Sequence, residues 1–335
     1  MNKNRWKRLL FLCLAIPLAA TPLWGCSNRN GRPSDTGEPK LKVVTTLFPY
    51  YDFTRQVAGD RVELTMVVPA GMDSHSFEPT PADVLAIQEA DVLICNGGAL
   101  EHWLSQVINA VDSGSITIVT GMDYVNAVQE ELVEGMEEEE HHLEEGDDQA
   151  GGDGHQEEME YDEHIWTSPV NAMTLVEAIR DTLVEEDPEN RDFYEERAQA
   201  YLGKLKNLDS EFRQVAENKK RDMIVVGDKF PFRYLADEYG LRYRAAFSGC
   251  STDTEPSAKT IAYLIDRMRL EQIPVIYYLE LSSHRVSEII GEETGAKPLL
   301  LHSCHNVSRR EFDGGVTYLE LMEQNVINLR RGLDE

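Results

Sequence analysis

Four short runs early in the chain are filled with apolar and β-branched residues: LKVVTT from Leu41, VELTMVV from Val62, VLICN from Val92 and SITIVT from Ser115. Such runs read as strands. Between the second and third lies TPADVLAIQEA, with Thr80 placed as a helix N-cap and Pro81 at the first helical position. The second half repeats the alternation: DMIVVGD, RYRAAF, PVIYYLE and PLLLH are interleaved with FRYLADEYG, AKTIAYLIDRMRL and SEIIGEETG. Strands alternating with helices predict an α/β fold, here as two lobes, each with a mainly parallel sheet flanked by helices. Between the two regions, Thr167-Ser168-Pro169 starts a helix carrying Met173, Val176, Ile179 and Leu183. After Pro188, apolar residues recur at Tyr194, Ala198, Tyr201, Leu205, Leu208, Phe212 and Val215, spaced alternately by four and three. That stripe predicts one long, rigid helix that joins the lobes and restricts hinge motion between them. VTYLELMEQNVINLRRGL predicts a closing amphipathic helix.

One stretch fits neither pattern. From Glu137 to His164 the chain has no Lys or Arg, few apolar side chains, and histidines set among carboxylates. It cannot bury enough apolar surface to offset its ordering entropy, so it is either an unstructured charged insert or a segment that a ligand organises. The net charge of the chain is -28, and 17 of its 60 acidic residues fall between Glu130 and Glu163, so the charge is largely local. A strongly acidic chain argues against nucleic acid and anionic surfaces as partners.

The first residues combine a basic segment (Lys3, Arg5, Lys7, Arg8), an apolar stretch from Leu9 to Leu23, and Leu23-Trp24-Gly25-Cys26. This is the layout of a secretory signal, and the small residue before a cysteine resembles the lipobox of bacterial lipoproteins, in which Cys26 becomes the lipidated first residue. The expected organisation is signal peptide at 1–25, polar tether at 26–40, an N-terminal α/β lobe at 41–168 with the acidic insert at about 129–163, a helical linker at 169–219 including the long helix, and a C-terminal α/β lobe at 220–335. In an exported protein paired cysteines tend to oxidise. Cys95 lies in an apolar run and reads as core; Cys250 in GCST and Cys304 in HSCHN are the expected pair, with a thiolate ligand role as the alternative.

Three histidines fall in loops at element ends: His75 before the Thr80 helix, His164 before Ser168, and His302 after PLLLH, with His305 three residues on. Open α/β sheets bind ligands at such edges, and several loop histidines together point to metal coordination. HSFEPTPADV, EHIWTSPVNA, GDKFPFRYLADEYGL, GCSTDTEPSAKTIAYL and YLELMEQNVINL, in this order, resemble the solute-binding lipoproteins of zinc and manganese ABC transporters, the cluster A-I or adhesin-lipoprotein family. The acidic, histidine-bearing insert further resembles the zinc-importing branch. The resemblance implies two lobes with a divalent metal in their cleft, delivery to an ABC permease and its ATPase in the same membrane, an extracytoplasmic location held by the N-terminal lipid, and a protein that is not an enzyme. The chain is expected to act as a monomer.

Position by position, the resemblance assigns His75 and His164 as the first two ligands. The third family position falls on Gly227, so that ligand is missing or displaced, and the fourth falls on His302. A water, Asp228, Glu280 or His305 is left to complete the shell, Glu280 also as a partner orienting a metal-bound imidazole. A histidine-rich shell favours Zn2+ over Mn2+. A manganese-binding homologue and a zinc-dependent hydrolase are the alternatives; the sequence has neither an HExxH helix nor a GxSxG elbow to support the latter. His141, His142 and His155 are expected to hold zinc weakly and raise its local concentration beside His164. Deleting Glu134 to Gly154 should then leave one tight zinc site and remove the weaker ones in a calorimetric titration. Loss of the tight site would show that an insert histidine supplies the ligand missing at Gly227.

Overall fold

The structure is a computed structural model and describes residues 40–111, 113–136, 161–249, 251 and 255–335. Cys26, His141, His142, His155 and Cys250 lie outside the described residues. Residues 40–335 form one compact unit.

Its first half carries strands β1 (Leu41–Thr45), β2 (Val62–Met66), β3 (Val92–Cys95) and β4 (Thr117–Thr120). They form a wholly parallel sheet in the order β2-β1-β3-β4. The helices here are α1 (Phe48–Ala58), α2 (Pro81–Gln88) and α3 (Leu104–Ala110). Thr80 caps α2 in a reciprocal box with Asp83, as the sequence predicts. Then come α4 (Pro169–Glu186) and α5 (Arg191–Asn218). The second half repeats the plan with β5 (Met223–Val226), α6 (Arg233–Tyr239), β6 (Arg242–Ala245), α7 (Ala258–Glu271), β7 (Val275–Tyr278), α8 (Arg285–Thr294) and β8 (Lys297–Leu300), and its parallel sheet runs β6-β5-β7-β8. The short α9 (Arg309–Asp313) and the closing α10 (Tyr318–Leu333) follow.

The 28 residues of α5 span about 42 Å at 1.5 Å per residue. The residues it buries are Tyr194, Ala198, Tyr201, Leu205, Leu208, Phe212 and Val215, the stripe read from the sequence. A second helix joins the lobes as well. The first turn of α10 is anchored on the first lobe, where the fully buried Asp52 accepts the Tyr318 amide at 2.8 Å. Arg55 pairs with Asp52 at 2.5 Å and also donates to the Val316 carbonyl at 2.7 Å. The other end of α10 lies on the second sheet: Tyr277 Oη donates to the Asn328 carbonyl, and Lys220 N donates to the Leu333 carbonyl. One apolar core runs through both lobes without a break, while a smaller cluster including Phe247, Leu264 and Ile276 fills the far face of the second sheet.

Removing one partner of a buried, hydrogen-bonded ion pair leaves the other charge and the donors it served uncompensated. Asp52→Ala should therefore destabilise the fold by about 3 kcal/mol in urea unfolding. A loss under about 0.5 kcal/mol would show that the Asp52–Arg55–α10 clamp contributes little.

Candidate metal centre

Ligand-bearing loops leave the C-terminal ends of both sheets. After β2, a tight turn leads into the short helical turn Ser74–Ser76, where Asp73 accepts the His75 amide at 2.9 Å. His164 starts the turn Ile165–Thr167 and is buried, its ring 5.8 Å from that of His75 and against Trp166. Asp162 orients it: one oxygen accepts the His164 amide at 2.8 Å and lies 3.2 Å from Nδ1. That contact places the ring proton on Nδ1 and the lone pair on Nε2. Asp162 is itself fixed, since its carbonyl accepts Tyr234 Oη at 2.7 Å from α6. Gly249 closes the other side: a β-carbon there would stand 2.9 Å from the Phe230 carbonyl oxygen and 3.3 Å from His164 Nδ1.

The second lobe contributes Glu280 at the end of β7 and the loop after β8. Glu280 accepts the Ser303 amide at 2.8 Å and the Ser303 hydroxyl, and its Oε1 stands 3.2 Å from His305 Nδ1. Burial opposes its charge, but His302, His305 and Ser303 outweigh burial and hold it down to about 2. An ionised carboxylate only accepts, so Nδ1 of His305 donates and Nε2 carries the lone pair. That Nε2 is buried and has no hydrogen-bond partner, and the same is true of Nε2 of His302. Glu280 thus holds Nδ1 of His305 from behind. Ser303, whose hydroxyl lies 2.7 Å from the same Nδ1, was not legible as a participant.

His302 also stands beside Glu280, with its Nδ1 3.5 Å from Oε1. It is fully buried, its backbone is bracketed by Asn325, and its Nδ1 accepts the Cys304 amide at 3.0 Å. The charges acting on it are Glu280, Glu311 and His305; those acting on His75 are His164, Lys229, Asp73 and His305. His305 is thus among the charges that act on His75. The turn between His302 and His305 passes through Cys304 in the left-handed region at φ 63°, a conformation that costs a non-glycine residue on the order of 1 kcal/mol and re-aims the chain. Among the described residues, no three His, Cys, Asp or Glu side chains are gathered as tightly as a formed metal shell.

Gly227 has no room for a ligand. A β-carbon there would meet Ser287 Oγ at 2.5 Å and the Ser287 amide nitrogen at 3.2 Å. The position is filled by the first turn of α8. Two residues on, Lys229 brings a positive charge into the field of His75, Asp73 and Asp228. Asp228 is half-buried; burial raises its carboxyl, and its Oδ1 accepts the Lys229 amide at 2.9 Å. Burial, with repulsion from His164 and Lys229, pulls His75 down to about 3, so its imidazole is neutral at physiological pH. Cys304 is a free, buried thiol in this structure, and the other half of its expected bridge, Cys250, lies outside the described residues. His102 is exposed and paired with Glu78 at 3.2 Å, on the surface.

Two imidazoles with carboxylate-held Nδ1 atoms, a third neutral by burial, and a buried carboxylate make a set of donors suited to a borderline cation. Comparisons with known proteins agree. The chain is 32% identical over 331 residues to the high-affinity zinc uptake system protein ZnuA of Bacillus subtilis, covering 98% of each chain. It is 33% identical over 323 residues to the zinc-binding lipoprotein AdcA of Streptococcus pneumoniae, covering 96% of this chain but only 60% of that longer relative. Among solved structures it resembles the metal-dependent lipoprotein YcdH of Bacillus subtilis and the Zn(II)-bound ZnuA-like domain of Streptococcus pneumoniae AdcA, each with a TM-score of 0.71, 30% identity, and coverage of 88% of this chain and 100% of the other. A Mn-bound periplasmic metal-binding protein of Candidatus Liberibacter asiaticus is similar at 26% identity and a TM-score of 0.69. The family model described as zinc-uptake complex component A, periplasmic, matches residues 43–332, nearly all of the two-lobed unit, and this chain belongs to that family.

Proposed function

We propose that this chain captures Zn2+ outside the cytoplasm with His75, His164 and His305, with Glu280 as the fourth donor or as the carboxylate that orients His305, and passes the ion to an ABC permease and its ATPase. It is a solute-binding protein and not an enzyme, as its family is. The observation that carries this reading is the difference between two histidines whose buried Nε2 atoms both lack a partner: Nδ1 of His305 is held by Glu280 and Ser303, which leaves the lone pair on Nε2, whereas Nδ1 of His302 accepts the Cys304 amide, which puts the ring proton on its Nε2. A metal-bound imidazole has this arrangement, with the outer nitrogen on a carboxylate and the inner one on the ion. His302 serves as structural support beneath the site. The imidazole content favours zinc over manganese, which prefers a carboxylate-rich octahedral shell. In this reading Lys229 offsets the charge of Asp73 and Asp228 beside the site, and the lipidated Cys26 holds the protein at the membrane surface. No described helix is long and apolar enough to cross a membrane.

His305→Ala should lower zinc affinity by orders of magnitude in competition with a chromophoric chelator, and by more than His302→Ala does, because only the first removes a ligand. The reverse ranking would return the ligand role to His302.

The low pKa of His75 fixes a pH dependence of the metal-free fold. His75 stays neutral in the folded chain down to about 3. It protonates near 6.5 when unfolded, so the unfolded state binds the extra proton between these values and stability falls as pH drops through that window. Urea unfolding of chelated protein at pH 6.5 and pH 4.5 should show a smaller loss for His75→Gln than for the parent chain. Equal losses would show that His75 does not carry this linkage.

A further inference from the structure

Asn306 directly follows His305 and is fully buried. Its Nδ2 donates to two carbonyls of the other lobe, Pro69 at 2.8 Å and Met72 at 2.7 Å, and its Oδ1 accepts the Val307 amide at 2.8 Å. Pro69 and Met72 are the ends of a turn closed by the Met72 amide on the Pro69 carbonyl. Within that turn Gly71, at φ 87°, directs its own amide to the Val307 carbonyl at 2.7 Å. A non-glycine residue rarely adopts such a φ. His75 follows Met72 by three residues. The backbone carrying His75 is thus tied to the backbone carrying His305 by three hydrogen bonds across the lobes, two of them from one carboxamide.

We propose that Asn306 is a positioning residue that fixes the separation of His75 and His305 and thereby sets the preference of the site for Zn2+ over larger, six-coordinate cations. The inference rests on the reading of His75, His164 and His305 as ligands. A carboxamide of this length presents two N–H donors from one nitrogen; aspartate has the same shape and no donor, and serine is shorter with a single one. The match is to the two carbonyls and not only to the space. Zinc–nitrogen bonds are about 2.0–2.1 Å in a tetrahedral shell, and a site tolerates about 0.5 Å of misplacement before its selectivity suffers. Loosening the tie lets the histidine-bearing loops separate. A wider shell admits water and suits Mn2+ better than Zn2+.

The test uses the full chain with Asn306→Asp and Asn306→Ser, compared with the parent and with His305→Ala. Zn2+ and Mn2+ affinities are measured by chelator competition, and coordination number by the visible absorption of the Co2+-loaded protein. Zinc affinity is expected to fall by about 10- to 100-fold in Asn306→Asp, the usual consequence of losing a group that orients ligands from behind. Mn2+ affinity should change much less, and the intense tetrahedral Co2+ bands should weaken, with Asn306→Ser between the two. If Asn306→Asp fails to fold, Asn306→Ser alone carries the comparison. Variants with lower thermal stability but an unchanged Zn2+:Mn2+ ratio and Co2+ spectrum would overturn the inference and leave Asn306 a structural tie. If His305→Ala also binds zinc as the parent does, the ligand reading itself has failed; if it loses zinc while the Asn306 variants keep the parental ratio, only the inference has.

Discussion

The segment from Leu301 to Ser308 is hydrogen-bonded to both lobes at once, and the geometry of the cleft depends on that double attachment. On its own side it is fixed by Glu280 through Ser303 and by Asn325 through the backbone of His302. On the other it accepts Trp166 Nε1 at the Ser303 carbonyl at 2.8 Å, donates from Asn306 to the turn before His75, and accepts the Gly71 amide at Val307. Nearly every polar group of the segment is buried, so each bond lost would leave an unpaired donor or acceptor costing about 1–3 kcal/mol. Trp166, two residues from His164, and Asn306, one residue from His305, place these constraints beside the candidate ligands. Tyr318 Oη donates to the Trp166 carbonyl and brings α10 into the same network.

Two covalent crossings reinforce this. Both α5 and α10 pass from lobe to lobe, and the apolar core follows them without interruption. A hinge that opened by tens of degrees would have to expose part of that core and break the Asp52 clamp on α10. The architecture therefore favours metal release through local motion of loops rather than through separation of lobes. The loop after β7 is suited to such motion: Leu281 and His284 both have positive φ, at 60° and 57°, and Glu280 precedes them. Strained backbone of this kind concentrates at sites where a small rearrangement has a use.

The electrostatics are balanced for a neutral-imidazole site. Burial opposes protonation of His75 and His302, and the carboxylates that might have charged the site are each engaged, Glu280 by Ser303 and His305, Asp162 by the His164 amide, Asp73 by the His75 amide. The two sheets share one strand order, β2-β1-β3-β4 and β6-β5-β7-β8, so each lobe offers the cleft equivalent strand ends. On the proposed ligand set, a cation would meet oriented nitrogen lone pairs and little competition from protons near neutral pH.

Much of this was legible in the sequence because it depends on local pattern. Strand runs, the four-and-three stripe of α5, the Thr80 and Ser168 caps and the turn placement of His75 and His164 follow from periodicity and capping chemistry acting within a few residues. Motif spacing also singled out the loop after β8, which carries both His302 and His305. The different hydrogen bonds of the two histidines in that loop arise only in the tertiary structure: with Cys304 in a left-handed turn between them, Nδ1 of His302 accepts the Cys304 amide and Nδ1 of His305 lies 3.2 Å from Glu280. Ser287 packs against Gly227, where the sequence already lacks the family's third ligand. The buried partners of the imidazoles, Asp162, Ser303 and Asn306, carry no periodic signal. Their roles arise from contacts between segments up to 237 residues apart, and a chain's local preferences are blind to such contacts until the two lobes have packed.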